Sequence, residues 1–547
     1  MASLDPIQAA EPAGPVDAGG STRPGRFRPS ANEWLALVLG LVLVARYRWL
    51  VDDAFVYFRY VDNLLFLGRG LVYNHGEYVE GYSSPLWTLV MIVLRAVRLG
   101  YWEMVLALGL ATYVGFWALA VRVNRALSPP DARAFSFPLL FLSTNYAVTT
   151  WFTSGLELPF VQLAAVSFAW LIVRPASRPA QVLVALAPLV RPELVLPFVV
   201  AFMWVWWRSL RLPWFLGLLA VGVQVSWMSF RIYYYADLFP NTFHLKDGVW
   251  VDQGMSYLAD SFLPYHIPAI LLVLFGAMLV LRNRVQPAFW PERLVMLLCA
   301  IPGIPYVVKI GGTHLHYMYL AFPFCLVVLS LSGCVERLLE PLSKRPVLAG
   351  RVAFILGLLV CAGSLSLYPS QEPRNPLWLE PSGFKVEHTI SDANLARHHR
   401  DLSYAKHLAE VPLQEIRDVA QRFPGEPVPH NQTLVHSWCA TMYRVPETLT
   451  INRHGLTDGV LARIQCIPSR PGHYPLRPFA LDIESVQNGA SRVGRGMYRE
   501  AVDQGRAPDW IVQNVDQLER IASKIYNEHN FGENLGLALH QEPKIQP

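Results

Sequence analysis

Asp52 and Asp53 stand side by side directly after an apolar run that ends near residue 50. Ionisable groups beside hydrocarbon are costly unless they are solvated or used. Capping the next helix is the bland use, since an Asp N-cap contributes ~1 kcal/mol, but one aspartate suffices for that. Chemistry is the other use. A carboxylate within ~3 Å of an alcohol can take its proton, and two adjacent carboxylates can raise one pKa toward that of a working base. A divalent cation on the pair is the less favoured alternative. Other chemistries lack their motifs. No GxxxxGK[ST] loop and no GxGxxG fingerprint occurs, which argues against a nucleotide-driven pump and a Rossmann site for a nucleotide sugar. His398 and His399 are adjacent but have no partners at metal-ligand spacing. Six cysteines are scattered, and only Cys439 and Cys466 lie in a polar region where an oxidising compartment would let them pair.

The elements that position the acidic pair are apolar spans. The chain has 547 residues, is 53% hydrophobic and 16% charged, against roughly 25% charged in soluble domains, and its mean hydropathy is +0.28. Apolar runs near the ~20 residues that cross a bilayer recur before residue 370. The net charge of +5 comes from arginines in the turns between runs, so it reads as topology and not as nucleic-acid binding. Residues 1–30 read as a disordered cytoplasmic tail held inside by Arg23, Arg26 and Arg28. The segment 84–98 is apolar but short, and carries Arg95 and Arg98. Read as a surface-lying helix, it leaves Arg122, Arg125 and Arg133 inside, as the positive-inside rule prefers. The register then predicts eleven spans, near 32–50, 102–121, 135–151, 157–173, 179–190, 193–207, 213–231, 264–281, 292–309, 317–334 and 350–368. The expectation is a polytopic α-helical membrane protein with a transmembrane module over 31–368 and a first external loop over 51–101. Residues 369–547 follow as an external α+β domain, with strand-like TLVHSW and DWIVQNV and helical 404–421 and 515–527. On this register Asp52, Asp53, Glu80, Glu157, Arg191, Glu193, Arg231, Asp237, His244, Lys246, Lys309, His314 and His316 all fall on the outer side.

The stretch DDAFVYFRYVDNLL…GRGLVYN…GEYVEGYSSPLW resembles the first external loop of GT-C class membrane glycosyltransferases. It is most similar to the branch containing the mycobacterial terminal arabinofuranosyltransferase. SGLE at 154–157, RPE at 191–193, YYYADLFPNTFHLK at 233–246, KIGGTHLHYMYL at 309–320, HGLTDGVLARI at 454–464 and RPGH at 470–473 extend the likeness from about 50 to 475. The resemblance implies a GT-C fold in a bacterial inner membrane, N-terminus cytoplasmic and C-terminal domain periplasmic. It implies transfer of a sugar, D-arabinofuranose first among candidates, from a polyprenyl-phosphate donor to a hydroxyl of a cell-envelope glycan or surface protein. It carries the general base onto Asp52 or Asp53 without choosing between them, and implies no firm cofactor. Charge on the departing phosphate needs cations, for which Arg191, His244 and Lys246 come first and Lys309, His314 and His316 behind them. Glu157, Glu193 and Asn241 are candidates for the donor sugar, and Arg59, Glu80 and Tyr82 for substrate contacts in the first loop. In the C-terminal region Asp458, Arg470 and His473 match the branch. Thr313 stands where the branch often has an acidic residue. Another polyprenyl-phosphate sugar, such as mannose or aminoarabinose, is the alternative donor. A transporter or flippase is the alternative class, disfavoured by the lack of an inverted repeat and of mid-membrane charges.

Overall fold

The structure, a computed structural model, describes residues 29–46, 48, 50–128, 136–262, 276, 290–313, 317–334, isolated positions between 352 and 362, 433–436, 439–443, 448–452, 454–466 and 476–546. The spans expected at 264–281 and 350–368, the helix expected at 404–421, and His314, His316, Arg470 and His473 lie outside the described residues, single positions aside.

Runs of Leu, Val, Ala and Phe fold as helices: α1 (Ala31–Arg46), α2 (Ala54–Leu65), α3 (Pro85–Ala96), α4 (Tyr101–Leu127), α5 (Phe137–Thr144), α6 (Tyr146–Thr149), α7 (Leu158–Val173), α8 (Arg178–Val190), α9 (Val195–Ser209), α10 (Trp214–Tyr235), α11 (Asn241–Leu245), α12 (Val251–Phe262), α13 (Trp290–Ala300), α14 (Gly303–Lys309) and α15 (Ala321–Ser330). Prolines in the first turns of α3, α7 and α8 mark helix starts, where a missing N–H costs nothing. Among the described residues three helical stretches are long and apolar enough to cross a membrane: Tyr101–Leu127, Trp214–Tyr235 and Trp290–Lys309, the last made of α13 and α14. Other predicted spans are shorter than expected. The one at 135–151 breaks at Asn145, whose extended backbone separates α5 from α6, and the helix within the one at 317–334 covers Ala321–Ser330.

The core forms where α7 packs against α4, α8, α13 and α15. Helices α1 and α4 run antiparallel. Arg125, in the last turn of α4, donates from Nε to Glu33 Oε1 at 2.7 Å in the first turn of α1, and Trp117 Nε1 reaches the Glu33 carbonyl at 2.9 Å. On the outside of α9 and α10, Leu196, Val199, Met203, Leu218, Val221 and Val225 are all at least half exposed, an apolar surface suited to lipid.

The C-terminal region adds two parallel strands, β1 (Thr433–His436) and β2 (Leu449–Asn452), in register from Thr433 with Leu449 to His436 with Asn452. It continues with α16 (Cys439–Tyr443), α17 (Arg477–Gly489), α18 (Met497–Asp503), α19 (Asp509–Ile525) and α20 (Phe531–Leu539). Leu461, Ile483, Tyr498, Ile511, Leu518 and Ile521 centre its own core. DWIVQNV, expected as a strand, opens helix α19. Seven residues show an apolar run without its period, whereas buried Ile511, Leu518, Ala522 and Ile525 repeat at helical spacing over the longer window.

One glycine governs how the elements beneath the site meet. Gly155 has φ +82°, and a Cβ there would lie 2.7 Å from Ala54 Cβ and 2.8 Å from Leu50 Cδ2. Its carbonyl accepts Trp87 Nε1–H at 3.1 Å, and the Ser154 carbonyl accepts the Val51 N–H at 3.0 Å. The SGLE turn is thereby seated on the residues that precede α2. Gly155→Ala combines a left-handed backbone with overpacking, each costing on the order of 1–3 kcal/mol. A clear drop in the melting temperature of the detergent-solubilised protein is expected, and an unchanged melting curve would contradict this account.

Candidate active site

Asp53 occupies the N-cap position of α2 but makes no side-chain cap hydrogen bond, so the bland use of this residue is not the one adopted. Its neighbour is engaged: Asp52 Oδ2 accepts the backbone N–H of Cys439 at 2.9 Å. Burial, reinforced by the charge of Asp52, pushes the Asp53 carboxyl up to about 7, with Lys246 opposing and Glu157 adding to the shift.

Asp53 lines a cavity of about 500 Å3 together with Tyr57, Tyr82, Glu157, Arg191, Glu193, Arg231, Lys246 and Tyr319. The remaining wall is mostly apolar and includes Leu189, Leu196, Met228, Phe239, Phe243 and Pro302. The Arg191 side chain is set by the break between α8 and the 3-10 turn Pro192–Leu194. Its Nη2 lies 2.8 Å from Glu157 Oε1 and its Nη1 donates to Glu193 Oε1 at 3.2 Å. The guanidinium is 4.8 Å above the Tyr319 ring. The contact with Glu157 is an ion pair without hydrogen-bond alignment, so Nε and Nη2 of a side chain only 6% exposed keep unspent donors. Tyr57 donates its hydroxyl to the other Glu157 oxygen at 3.1 Å. Lys246, at the C-terminal end of α11, donates to the Tyr319 hydroxyl at 2.6 Å. One aromatic side chain thus joins the two cations. Anionic oxygens are what such an arrangement binds.

Of the sequence-derived candidates, the structure gathers Asp53, Glu157, Arg191, Glu193, Lys246 and Tyr82 around this cavity, with Asp52 one residue away. Others lie apart from it. Arg59 is buried and spends its guanidinium on the carbonyls of Tyr73, Met442 and Thr448 and on Asn74 Oδ1. Glu80 is held bidentately by Arg231, and it is Arg231 that reaches the cavity. Asn241 donates to the carbonyls of Gly455, Leu456 and Asp458. His244 donates to Asp237, which also receives Arg463. Lys309 is half exposed, 3.9 Å from Asp247. Asp458 caps its own turn, accepting the N–H groups of Val460 and Leu461 at 2.9 and 2.7 Å. Arg59→Met would take the guanidinium from four buried acceptors, of which the Tyr73 carbonyl keeps Asn63 Nδ2 and Asn74 Oδ1 keeps Thr450. A loss of roughly 3 kcal/mol or more in stability is expected, read as a lower melting temperature with the variant's residual activity per folded molecule preserved.

Tyr57, Tyr319, Trp227 and Arg231 belong to the cavity without having been candidates. Tyr57 was visible only as one aromatic among several in the first loop, and Tyr319 as part of the KIGGTHLHYMYL match. Asp52, Asp53 and Cys439 bring one potential ligand atom each within 4.8 Å of one another, and burial and the two carboxylates push the Cys439 thiol up. No disulfide joins Cys439 to Cys466.

Asp53, Arg191 and Lys246 thus share one largely apolar-walled cavity, within a helical bundle whose outer flanks are apolar. Two curated proteins are similar to the chain. The terminal β-(1→2)-arabinofuranosyltransferase of Mycobacterium tuberculosis is 29% identical over 346 residues, covering 54% of this chain and 54% of its own length. The protein of the same name from Corynebacterium glutamicum is 27% identical over 336 residues, covering 52% and 48%. These homologues carry the name of the branch that the motifs resemble, and that name denotes glycosyltransferases. The chain spans about half the length of the curated relatives it matches. No protein-family model matches it, and no solved structure does.

Proposed function

We propose that this chain is a polyprenyl-phosphate-sugar dependent glycosyltransferase that moves D-arabinofuranose to a hydroxyl of a cell-envelope acceptor, with Asp53 as the general base. The observation that carries the reading is the joint position of an uncapped Asp53, with a pKa near 7, and Arg191 and Lys246 on one cavity. The acceptor O–H loses its proton to Asp53 as its oxygen bonds the anomeric carbon. The bond from that carbon to the donor phosphate oxygen breaks, and the phosphate leaves with the electron pair. Arg191 and Lys246 meet the charge that develops there. Asp53 then returns its proton to water. Glu157 and Glu193 accept from sugar hydroxyls, and the apolar wall takes the first isoprene units. Asp52 holds the start of α2 through Cys439 N–H.

The proposed setting is the bacterial inner membrane, with the N-terminus cytoplasmic and the C-terminal region periplasmic. The Glu33–Arg125 pairing supports this, since it brings the start of α1 and the end of α4 to one side. That is what results when 84–98 does not cross. Transfer of radiolabelled arabinofuranose from decaprenyl-phosphate in membranes tests the reading. Loss of transfer in Asp53→Asn with a smaller effect of Asp52→Asn supports it, and full activity in Asp53→Asn refutes it.

A further inference from the structure

Lys246 sits at the end of α11, a helix of five residues. Isolated helices of that length do not persist in water, because nucleation costs more than one or two hydrogen bonds return. Something else must hold the turn, and a set of ties to it leads to the C-terminal region. At its start, Asn241 Nδ2 serves the carbonyls of Gly455, Leu456 and Asp458 at 3.0, 3.0 and 3.1 Å. At its end, Lys544 Nζ donates to the His244 carbonyl and, at 2.9 Å, to the Ala462 carbonyl. In between, the His244 ring donates to Asp237 Oδ2 at 3.1 Å, and Arg463 binds the same oxygen while its Nη1 reaches the Gly459 carbonyl at 2.7 Å. Leu245 packs against Gly455, where a Cβ would come within 3.1 Å of its Cδ1. Asp237, His244 and Arg463 are each less than one-tenth exposed.

We propose that Asp237, Arg463 and Lys544 are positioning residues: the 455–464 loop and Lys544 form a template that fixes the α11 turn and so aims Lys246 at Tyr319 and the cavity. The inference deepens the proposed function, on which it rests, by assigning the C-terminal region a part in building the phosphate end of the site. A loose Lys246 would weaken contact with the donor phosphate selectively, since misplacement by ~1 Å costs on the order of 100-fold.

The test uses the full-length protein in detergent with Lys246→Cys, and reads the rate of thiol modification at position 246 by peptide mass spectrometry. Adding Arg463→Gln, or separately Lys544→Met, is expected to raise that rate about tenfold, while buried Cys299 stays as slow as before and reports an intact helical core. An unchanged rate at 246 in both variants overturns the inference. So does a rise at 246 that occurs only together with a rise at Cys299. A second arm measures KM for decaprenyl-phosphate-arabinofuranose in chains without the cysteine substitution. Arg463→Gln and Lys246→Ala are expected to raise KM non-additively, the double variant matching Lys246→Ala within about twofold. If position 246 loosens but Lys246→Ala leaves KM unchanged, the template stands and the assignment of Lys246 to the donor phosphate falls.

Discussion

Asp53→Asn is expected to lower kcat for sugar transfer by roughly 100-fold to 10,000-fold, the range of a lost general base. The amide keeps the shape of the carboxylate but cannot accept the acceptor's proton. With the Asp53 carboxyl raised to about 7, the wild-type rate should climb as pH rises through 7 and level off above it, because the base works only when deprotonated. The variant's residual rate should lack that inflection. Stability should move the other way. An unfolded Asp ionises near 3.8 and the folded one near 7, so between those values the folded chain binds more protons. The stability linked to this group therefore falls as pH rises from about 4 to 7 and is flat beyond. An amide at this position does not titrate and carries no such dependence, so the inactive variant should melt no lower than wild type at pH 8. Thermal melts at pH 5 and pH 8 beside the rate profile decide the matter. A variant that is both inactive and much less stable at pH 8 would mean that Asp53 serves structure.

Arg191→Gln is the second large expected effect, and it strikes binding and stability together. Arg191 is the shared partner of Glu157 and Glu193. Its removal leaves Glu157, which is buried, without a countercharge, a change that typically costs about 3–5 kcal/mol. Donor KM should rise steeply and the melting temperature should fall. Arg191→Lys separates the two effects. It restores charge to Glu157, so stability should largely return, but a point charge cannot serve two carboxylates and a phosphate with planar geometry. KM should therefore remain at least about tenfold high. Equal KM in Arg191→Lys and wild type would remove the guanidinium from the proposed phosphate site.

Much of the candidate site is legible in the sequence. The acidic pair stands out as charge beside an apolar run, Glu157, Arg191 and Lys246 lie in the motifs that carry the resemblance, and four of these five line one cavity. Arg59 carried the same signal yet is spent on carbonyls of residues 442 and 448, partners more than 380 positions away that no local pattern announces. Tyr319 hid for the opposite reason: tyrosines are common at membrane boundaries, and only the approach of Arg191 and Lys246 to one ring singles it out. For the fold, apolar runs marked helices well and their lengths poorly. The break between α13 and α14 falls at Pro302–Gly303, a local breaker within the apolar run, the one at Asn145 is an extended residue with no such marker, and the DWIVQNV run shows how a short window misleads where the full α19 would not.

The hydrogen bond from Cys439 to Asp52 closes a loop of 387 residues, and that from Lys544 to His244 one of 300. Chains emerge from the ribosome N-terminus first, so α2 and its acidic pair exist long before the segments that hold them and the α11 turn. On the proposed function, a half-made chain would carry the carboxylates and both cations but not the ties that place Lys246, and so would not yet be set to cleave an activated sugar lipid wastefully. Competence would arrive in a single late step, when the C-terminal region docks, which makes correct export and folding of that region the checkpoint for activity.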